Sequence, residues 1–224
     1  MSTTAIACYH LINWGGANCE VEWKKLDEVV SLIRTGLNPR VHFKLNTPDA
    51  DCNYVTVREL YGKDIICDEK TDKINKEAVN RIQERSKLQI NDILFSGTGT
   101  IGKTAIVKEK PENWNIKEGV YAMTPNHSLI DSEFLLYCLH SKSVMNEILL
   151  RSAGSTVRSI PMAELKQVEI PCPSLEKQRG IVVILNSFDS LSNGLTEGLP
   201  AEINARQQQY EYYRDKLLTF KRAN

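Results

Sequence analysis

The sequence predicts an α+β fold: one mixed α/β domain over residues 1–173, with its core from about residue 21, followed by a helical region over 174–224. Three observations predict it. Short β-branched and aromatic runs are interspersed with helix-spaced apolar residues as far as Ile170. Local character changes at Pro171-Cys172-Pro173, after which the readable segments are helical. The last segment carries Leu199, Ile203, Arg206, Tyr210, Tyr213, Leu217 and Phe220 at steps of 4, 3, 4, 3, 4 and 3. That is the heptad seam of a long coiled-coil-forming helix, with one polar member.

Residues 1–20 show no clear period. Residues 21–33 suit a short strand and then a helix holding Leu26, Val29, Val30 and Ile33. Residues 35–51 are loop-like, with Gly36, Pro39 and Pro48. Residues 53–57 alternate like a strand, and 74–87 form a polar helix. Residues 92–96 are a buried strand, 97–102 a turn, 104–107 and 119–124 further strands. Residues 131–150 form a helix, with Asp131 or Ser132 as its cap. A short strand at 168–170 precedes a helix over 174–191 with Ser174 as N-cap. Gly194 and Gly198 break it, and Pro200 opens the last helix, which runs to about residue 222.

The balance of 42% hydrophobic and 25% charged residues is that of a globular domain and excludes a disordered chain or a fibre. Lys and Arg total 28 and Asp and Glu 28, so the net charge is zero. Many DNA-binding domains are basic, so a DNA-binding role here implies a partner that shares the phosphate contacts. Six cysteines, at 8, 19, 52, 67, 138 and 172, form no C-x-x-C, and no His pair has zinc spacing. They read as buried thiols in a reducing cytosol, with no metal site. A basic-then-apolar leader and a membrane-length apolar run are both missing, which predicts a cytoplasmic protein without a membrane partner.

Gly97-Thr-Gly-Thr-Ile-Gly102-Lys103-Thr104 fits the phosphate-loop pattern G-x-x-x-x-G-K-[ST]. A phosphate loop must open a helix, yet Ala105-Ile106-Val107 is β-branched and Pro111 follows soon after. Pro48-Asp49 with Asp68-Glu69-Lys70 loosely fits a nuclease pattern, and solvated surface charge explains it as well. His10, His42, His127 and His140 stand in no nucleophile or metal motif.

Four stretches together resemble the specificity subunits of type I restriction–modification systems. Val21-Glu-Trp-Lys-Lys-Leu26 is similar to the start of a target recognition domain. Asn91-Asp-Ile-Leu-Phe95 and Gly99-Thr-Ile-Gly102 resemble the family's "GDIL…GTIG" segment, with Asn91 in place of the usual Gly. Gly154-Ser-Thr-Val-Arg158, then Ile170-Pro-Cys-Pro-Ser-Leu-Glu-Lys-Gln178, resemble its "iPlPpl.EQ" region. Residues 197–218 resemble its long helix. The resemblance implies a strand–turn–strand at the phosphate-loop match.

Family members carry two recognition domains and two such helices. No internal repeat occurs here, so the chain reads as a half-subunit. The resemblance implies a non-catalytic subunit that reads one half of a bipartite target in double-stranded DNA. Methyltransferase subunits would bring S-adenosylmethionine, and restriction subunits would bring ATP and magnesium. A homodimer through Leu199, Ile203, Arg206, Tyr210, Tyr213, Leu217 and Phe220 would rebuild the two-domain reader. The DNA-contact candidates lie on basic and hydroxyl-rich loops: Arg34, Arg40 and Lys44; Thr98, Thr100 and Lys103; Arg151, Ser152, Ser155, Thr156 and Arg158. Two other classes stay open: a nucleotide-binding enzyme acting through Lys103 and Thr104, and a coiled-coil protein-interaction module.

Overall fold

The computed structural model describes residues 20–154, 157–193 and 200–222. In chain order, β1 (Glu20–Val21) and β2 (Trp23–Lys25) lead into a one-turn helix α1 (Leu26–Val29) and then β3 (Val30–Thr35). The helix expected as far as residue 33 therefore stops at Val29. Leu26 and Val29 are buried by that one turn. Val30 and Ile33 continue as strand, where β-branched side chains fit a pleated surface.

α2 (Pro39–His42) is a single turn in the expected loop, and the Asn38 side chain accepts from the Arg40 N–H. Next come β4 (Cys52–Val55), a 3-10 turn Val57–Glu59, the hairpin β5 (Leu60–Tyr61) and β6 (Asp64–Ile65), and β7 (Lys73–Ile74). α3 (Lys76–Arg85) matches the expected polar helix; Asn75 caps it and Ala78, Val79 and Ile82 form its buried face. β8 (Ile93–Ser96), β9 (Thr104–Ile106), β10 (Trp114–Ile116) and β11 (Val120–Pro125) follow.

α4 (Ser132–His140) and α5 (Lys142–Arg151) replace the single helix expected over 131–150. Asp131 is the cap, accepting from Glu133 and Phe134. The break is at Ser141, which is extended and whose hydroxyl donates to the Cys138 carbonyl at 2.7 Å. α6 (Met162–Lys166), β12 (Glu169–Pro171), α7 (Leu175–Asn193), α8 (Pro200–Leu218) and β13 (Lys221–Arg222) complete the described elements. None of the described helices is long and apolar enough to cross a membrane.

The chain forms two compact units. One comprises 25–127 and 147–168; the other comprises the described parts of 1–24, 128–146 and 169–224. These units are not divided at residue 173, where the sequence places its boundary. In the first unit an antiparallel sheet runs in the order β3-β11-β8-β9. All four residues of β8 are buried. A second sheet, β10-β4-β7, sets β10 parallel to β4. Leu94, Ala105, Val107, Ile116 and Ala122 form one apolar cluster. Tyr54, Ile74, Val79 and Ile82 form another. Burial of this kind contributes about 25 cal/mol per Å² of apolar surface.

In the second unit, α4 and α7 are joined by polar side chains. Buried Gln178 accepts from the Asp131 N–H and donates to the Leu129 and Pro173 carbonyls, each at 2.8 Å. The Tyr137 hydroxyl lies 2.6 Å from Asp189 and 2.7 Å from Asn186. These bonds explain why residues 132–140 belong with the later helices. Ser174 caps α7, accepting from the Lys177 N–H at 3.4 Å.

α8 lies against α7 at its C-terminal end. The Tyr213 ring stacks on Phe188 at 5.4 Å and 7°. Leu217 and Phe220 are buried, and Tyr210 is half-buried beneath Arg214. Leu217 and Phe220, the last members of the seam, thus bury their apolar area within the chain. Leu199 lies outside the described residues, as do the side chains of Ile203 and Arg206.

Candidate nucleic-acid interface

The turn between β8 and β9 is built by one serine and two left-handed glycines. β8 and β9 are antiparallel, with Phe95 opposite Thr104. Gly99 and Gly102 have φ of 78° and 96°, which disfavours any side chain. The Ser96 hydroxyl donates to the Thr100 carbonyl at 2.5 Å and accepts from the Lys103 N–H at 2.8 Å. The Gly102 N–H donates to the Ser96 carbonyl at 3.0 Å.

This is a strand–turn–strand, and it removes the phosphate-loop reading. The Gly102 and Lys103 amides are already bonded to Ser96, and a strand follows instead of a helix. The Thr104 hydroxyl is buried and donates to the Gly62 carbonyl at 2.8 Å. It is not placed to bind a magnesium ion.

A second loop is tied to this turn. Ala153 and Ser159 exchange two backbone bonds of 2.8 Å. The Gly99 N–H donates to the Arg158 carbonyl at 2.8 Å, and the Ile160 N–H to the Gly97 carbonyl at 2.9 Å. Thr98 and Ser159 form an antiparallel bridge. The Tyr121 hydroxyl holds the Ile160 carbonyl at 2.8 Å from below. Two segments distant in sequence thus present Thr98, Thr100 and Arg158, all exposed, on one joined surface, with Lys103 half-exposed beside them.

The other candidates are placed differently. Ser155 and Thr156 lie outside the described residues. Arg151 pairs with Glu147 at 3.0 Å and Glu164 at 3.3 Å, and the Ser152 hydroxyl donates to the Leu149 carbonyl at 2.7 Å. These two fasten the base of the loop. Arg40 and Lys44 are exposed on the segment whose Phe43 packs edge-on against Tyr54.

Arg34 is corrected outright. It is 6% exposed, ion-paired to Asp92, and bonded to the Lys87 carbonyl at 3.0 Å and Thr124 at 2.7 Å. Buried and committed to these three partners, the guanidinium is not presented to a base edge. Burial pushes the Asp92 carboxyl up, against the pull of Thr124, the Gln89 N–H and Arg34. Arg34 is a strut of the sheet.

The structure also places residues that the sequence reading passed over. Thr56, Arg58, Asp72, Thr98, Lys117 and Gly119 line a cleft of about 300 Å³. Arg58 is exposed and pairs with Asp72 at 2.8 Å. A Thr56…Glu59 capping box positions it: the Glu59 carboxylate accepts from the Thr56 N–H at 2.7 Å. The T-x-x-E spacing was readable in the sequence. Lys117 is exposed on a turn that carried no signal.

No cluster of three His, Cys, Asp or Glu suited to a metal occurs among the described residues. Asp49 accepts from the Asn75 side chain at 2.8 Å, and Asp68 accepts from the Lys70 N–H within its own turn at 2.8 Å, so both aspartates of the nuclease-like pattern serve local structure. In the second unit, burial first and then Arg214 push His140 down to about 4, against the pull of Asp189. His140 is therefore neutral at pH 7.

A family model described as the type I restriction modification DNA specificity domain matches residues 18–205. The chain belongs to that family. The specificity subunit of the type I restriction enzymes EcoR124I and EcoR124II of Escherichia coli is 32% identical over 208 residues, which are 90% of this chain and 49% of that protein. A putative type I specificity subunit of Haemophilus influenzae is 36% identical over 142 residues, 62% of this chain and 34% of that one. The chain spans about half the length, or less, of these two relatives.

Among solved structures, the HsdS subunit of Thermoanaerobacter tengcongensis aligns with a TM-score of 0.54 at 16% identity, over 86% of this chain and 46% of that one. A chain from a study of complex assembly in a type I R-M system aligns with a TM-score of 0.57 at 20% identity, over 97% of this chain and 52% of that one. At such identities these two show the shared fold alone. Asn91 has φ of 69°, a left-handed backbone that glycine adopts most freely. Gln178 ties the first turn of α7 to the start of α4.

Proposed function

We propose that this chain is a non-catalytic DNA-reading subunit of a type I restriction–modification system, and that the unit of 25–127 and 147–168 is its target recognition domain. The observation that carries this is the joining of turn 97–103 to loop 152–160. It holds two hydroxyls and a guanidinium, Thr98, Thr100 and Arg158, on a backbone fixed by its own hydrogen bonds. A preorganised polar surface of this kind suits base edges and phosphates.

In this reading the chain reads one half of a bipartite duplex target in the cytoplasm. Methyltransferase subunits dock on the helices α7 and α8 and bring S-adenosylmethionine. Restriction subunits join through the complex with ATP and magnesium. A net charge of zero fits a DNA clamp whose basic surface is shared among subunits. The heptad spacing supports a homodimer through Leu199, Ile203 and Arg206, whereas Leu217 and Phe220 are already buried in the chain.

Fluorescence-anisotropy titration of labelled duplexes tests the reading, with the full chain alone and with the methyltransferase of its own system. The expected result is selective binding and adenine methylation only when both are present, and no ATP turnover by the chain alone. ATP hydrolysis by the pure chain, abolished by Lys103→Ala, would overturn it.

A further inference from the structure

The hairpin β5–β6 packs against β9. Leu60 pairs with Ile65 and is buried, while Tyr61 pairs with Asp64. Gly62 and Lys63 make the two-residue turn, with Gly62 at φ 61°. A Cβ at Gly62 would meet nothing within 4 Å, so the tip is open.

The hairpin is nonetheless fastened to β9. The Thr104 hydroxyl holds the Gly62 carbonyl at 2.8 Å, and the Ile106 N–H donates to the Lys63 carbonyl at 3.1 Å. On this fixed base the Tyr61 side chain stays 59% exposed. The Lys103 ammonium sits 5.1 Å from the centre of its ring. Lys103 belongs to the turn that carries Thr98 and Thr100 and is tied to Arg158.

A large exposed aromatic on a hairpin fastened at its backbone, with a cation on its face, suits an interface anchor. The ring face orients the ammonium without saturating its three donors. An ordered ammonium with free donors suits a phosphate oxygen, and a tyrosine hydroxyl beside it suits the neighbouring phosphate or sugar.

We propose that Tyr61 and Lys103 are a DNA-backbone-contacting pair, Tyr61 orienting Lys103 onto a phosphate and fixing the register in which Thr98, Thr100 and Arg158 meet the duplex. The pair rests on the DNA-reading function proposed above. It assigns Lys103, which mimics a nucleotide-binding lysine in sequence, to duplex phosphate.

The test is duplex binding by the full chain with its methyltransferase over a series of salt concentrations. Lys103→Ala is expected to weaken binding several-fold at low salt and to reduce the slope of log K against log salt by about 1. Lys103→Arg should restore the slope. Tyr61→Ala should weaken binding about 3- to 10-fold, and Tyr61→Phe less. Unchanged melting temperatures would assign these losses to the interface. Wild-type affinity and slope in both alanine variants would overturn the pair while leaving the DNA-reading function intact. Displacement of DNA by millimolar ATP from the wild type, and not from Lys103→Ala, would overturn it in favour of a nucleotide. Absence of DNA binding by the wild-type complex would remove the DNA-reading function and the pair together.

Discussion

Arg34 and Asp92 form a buried ion pair within the main sheet, the Asp92 carboxylate also accepting from Thr124 and from the Gln89 N–H, each at 2.6 Å. The pair ties β3 to the turn that precedes β8, and so supports the strand from which turn 97–103 springs. Removing one partner strands a buried charge, which costs about 3–5 kcal/mol. Arg34→Ala is expected to destabilise by that order in urea unfolding. The double variant Arg34→Ala/Asp92→Ala should lose less than the sum of the two single changes. Additive losses would contradict the coupling.

Most of the main sheet was legible in the sequence. Residues 92–96, 104–107 and 119–124 are runs that show their burial locally. β10 was not legible, because Trp114-Asn115-Ile116 is strand only through its parallel pairing with β4, distant in sequence. Arg34 was misread for a related reason. Its partner Asp92 is brought to it by the sheet, and nothing adjacent in sequence announces it. The joining of Gly99 to Arg158 was likewise invisible, although both segments had been singled out.

Asn91 occupies a left-handed conformation at φ 69°. Asn91→Gly is expected to leave stability within about 0.5 kcal/mol, while Asn91→Val should cost about 1–2 kcal/mol. Melting temperatures of the two variants check this. Equal stability would contradict the backbone account.

The covered end of the seam makes a prediction about assembly. Leu217 is buried in its own chain. Leu217→Glu should therefore lower the melting temperature of the chain, because a charge is forced into an apolar site. Light scattering combined with thermal unfolding separates the cases. A dimer that becomes a stable monomer on this substitution would show that Leu217 faces a second copy.

His140 makes the second unit acid-sensitive. Burial and Arg214 lower its folded value to about 4, below the unfolded 6.5. Between these values the unfolded chain binds more protons, so stability is complete above about pH 6.5 and is lost as pH falls toward 4. The loss is up to about 3 kcal/mol. Urea midpoints at pH 7.5 and pH 5 should differ accordingly, and His140→Gln should flatten the difference. An unchanged slope in the variant would assign it to other groups.

The central claim is that the surface joining Thr98, Thr100 and Arg158 reads DNA sequence. Selection from a random duplex pool tests it most directly, using the chain with its methyltransferase and comparing wild type with Arg158→Ala. The account predicts that the wild type enriches a defined motif and that the variant relaxes it at one or two positions, by about 1–3 kcal/mol each. A wild-type complex that enriches no sequence, or a variant whose motif is unchanged at every position, would contradict it.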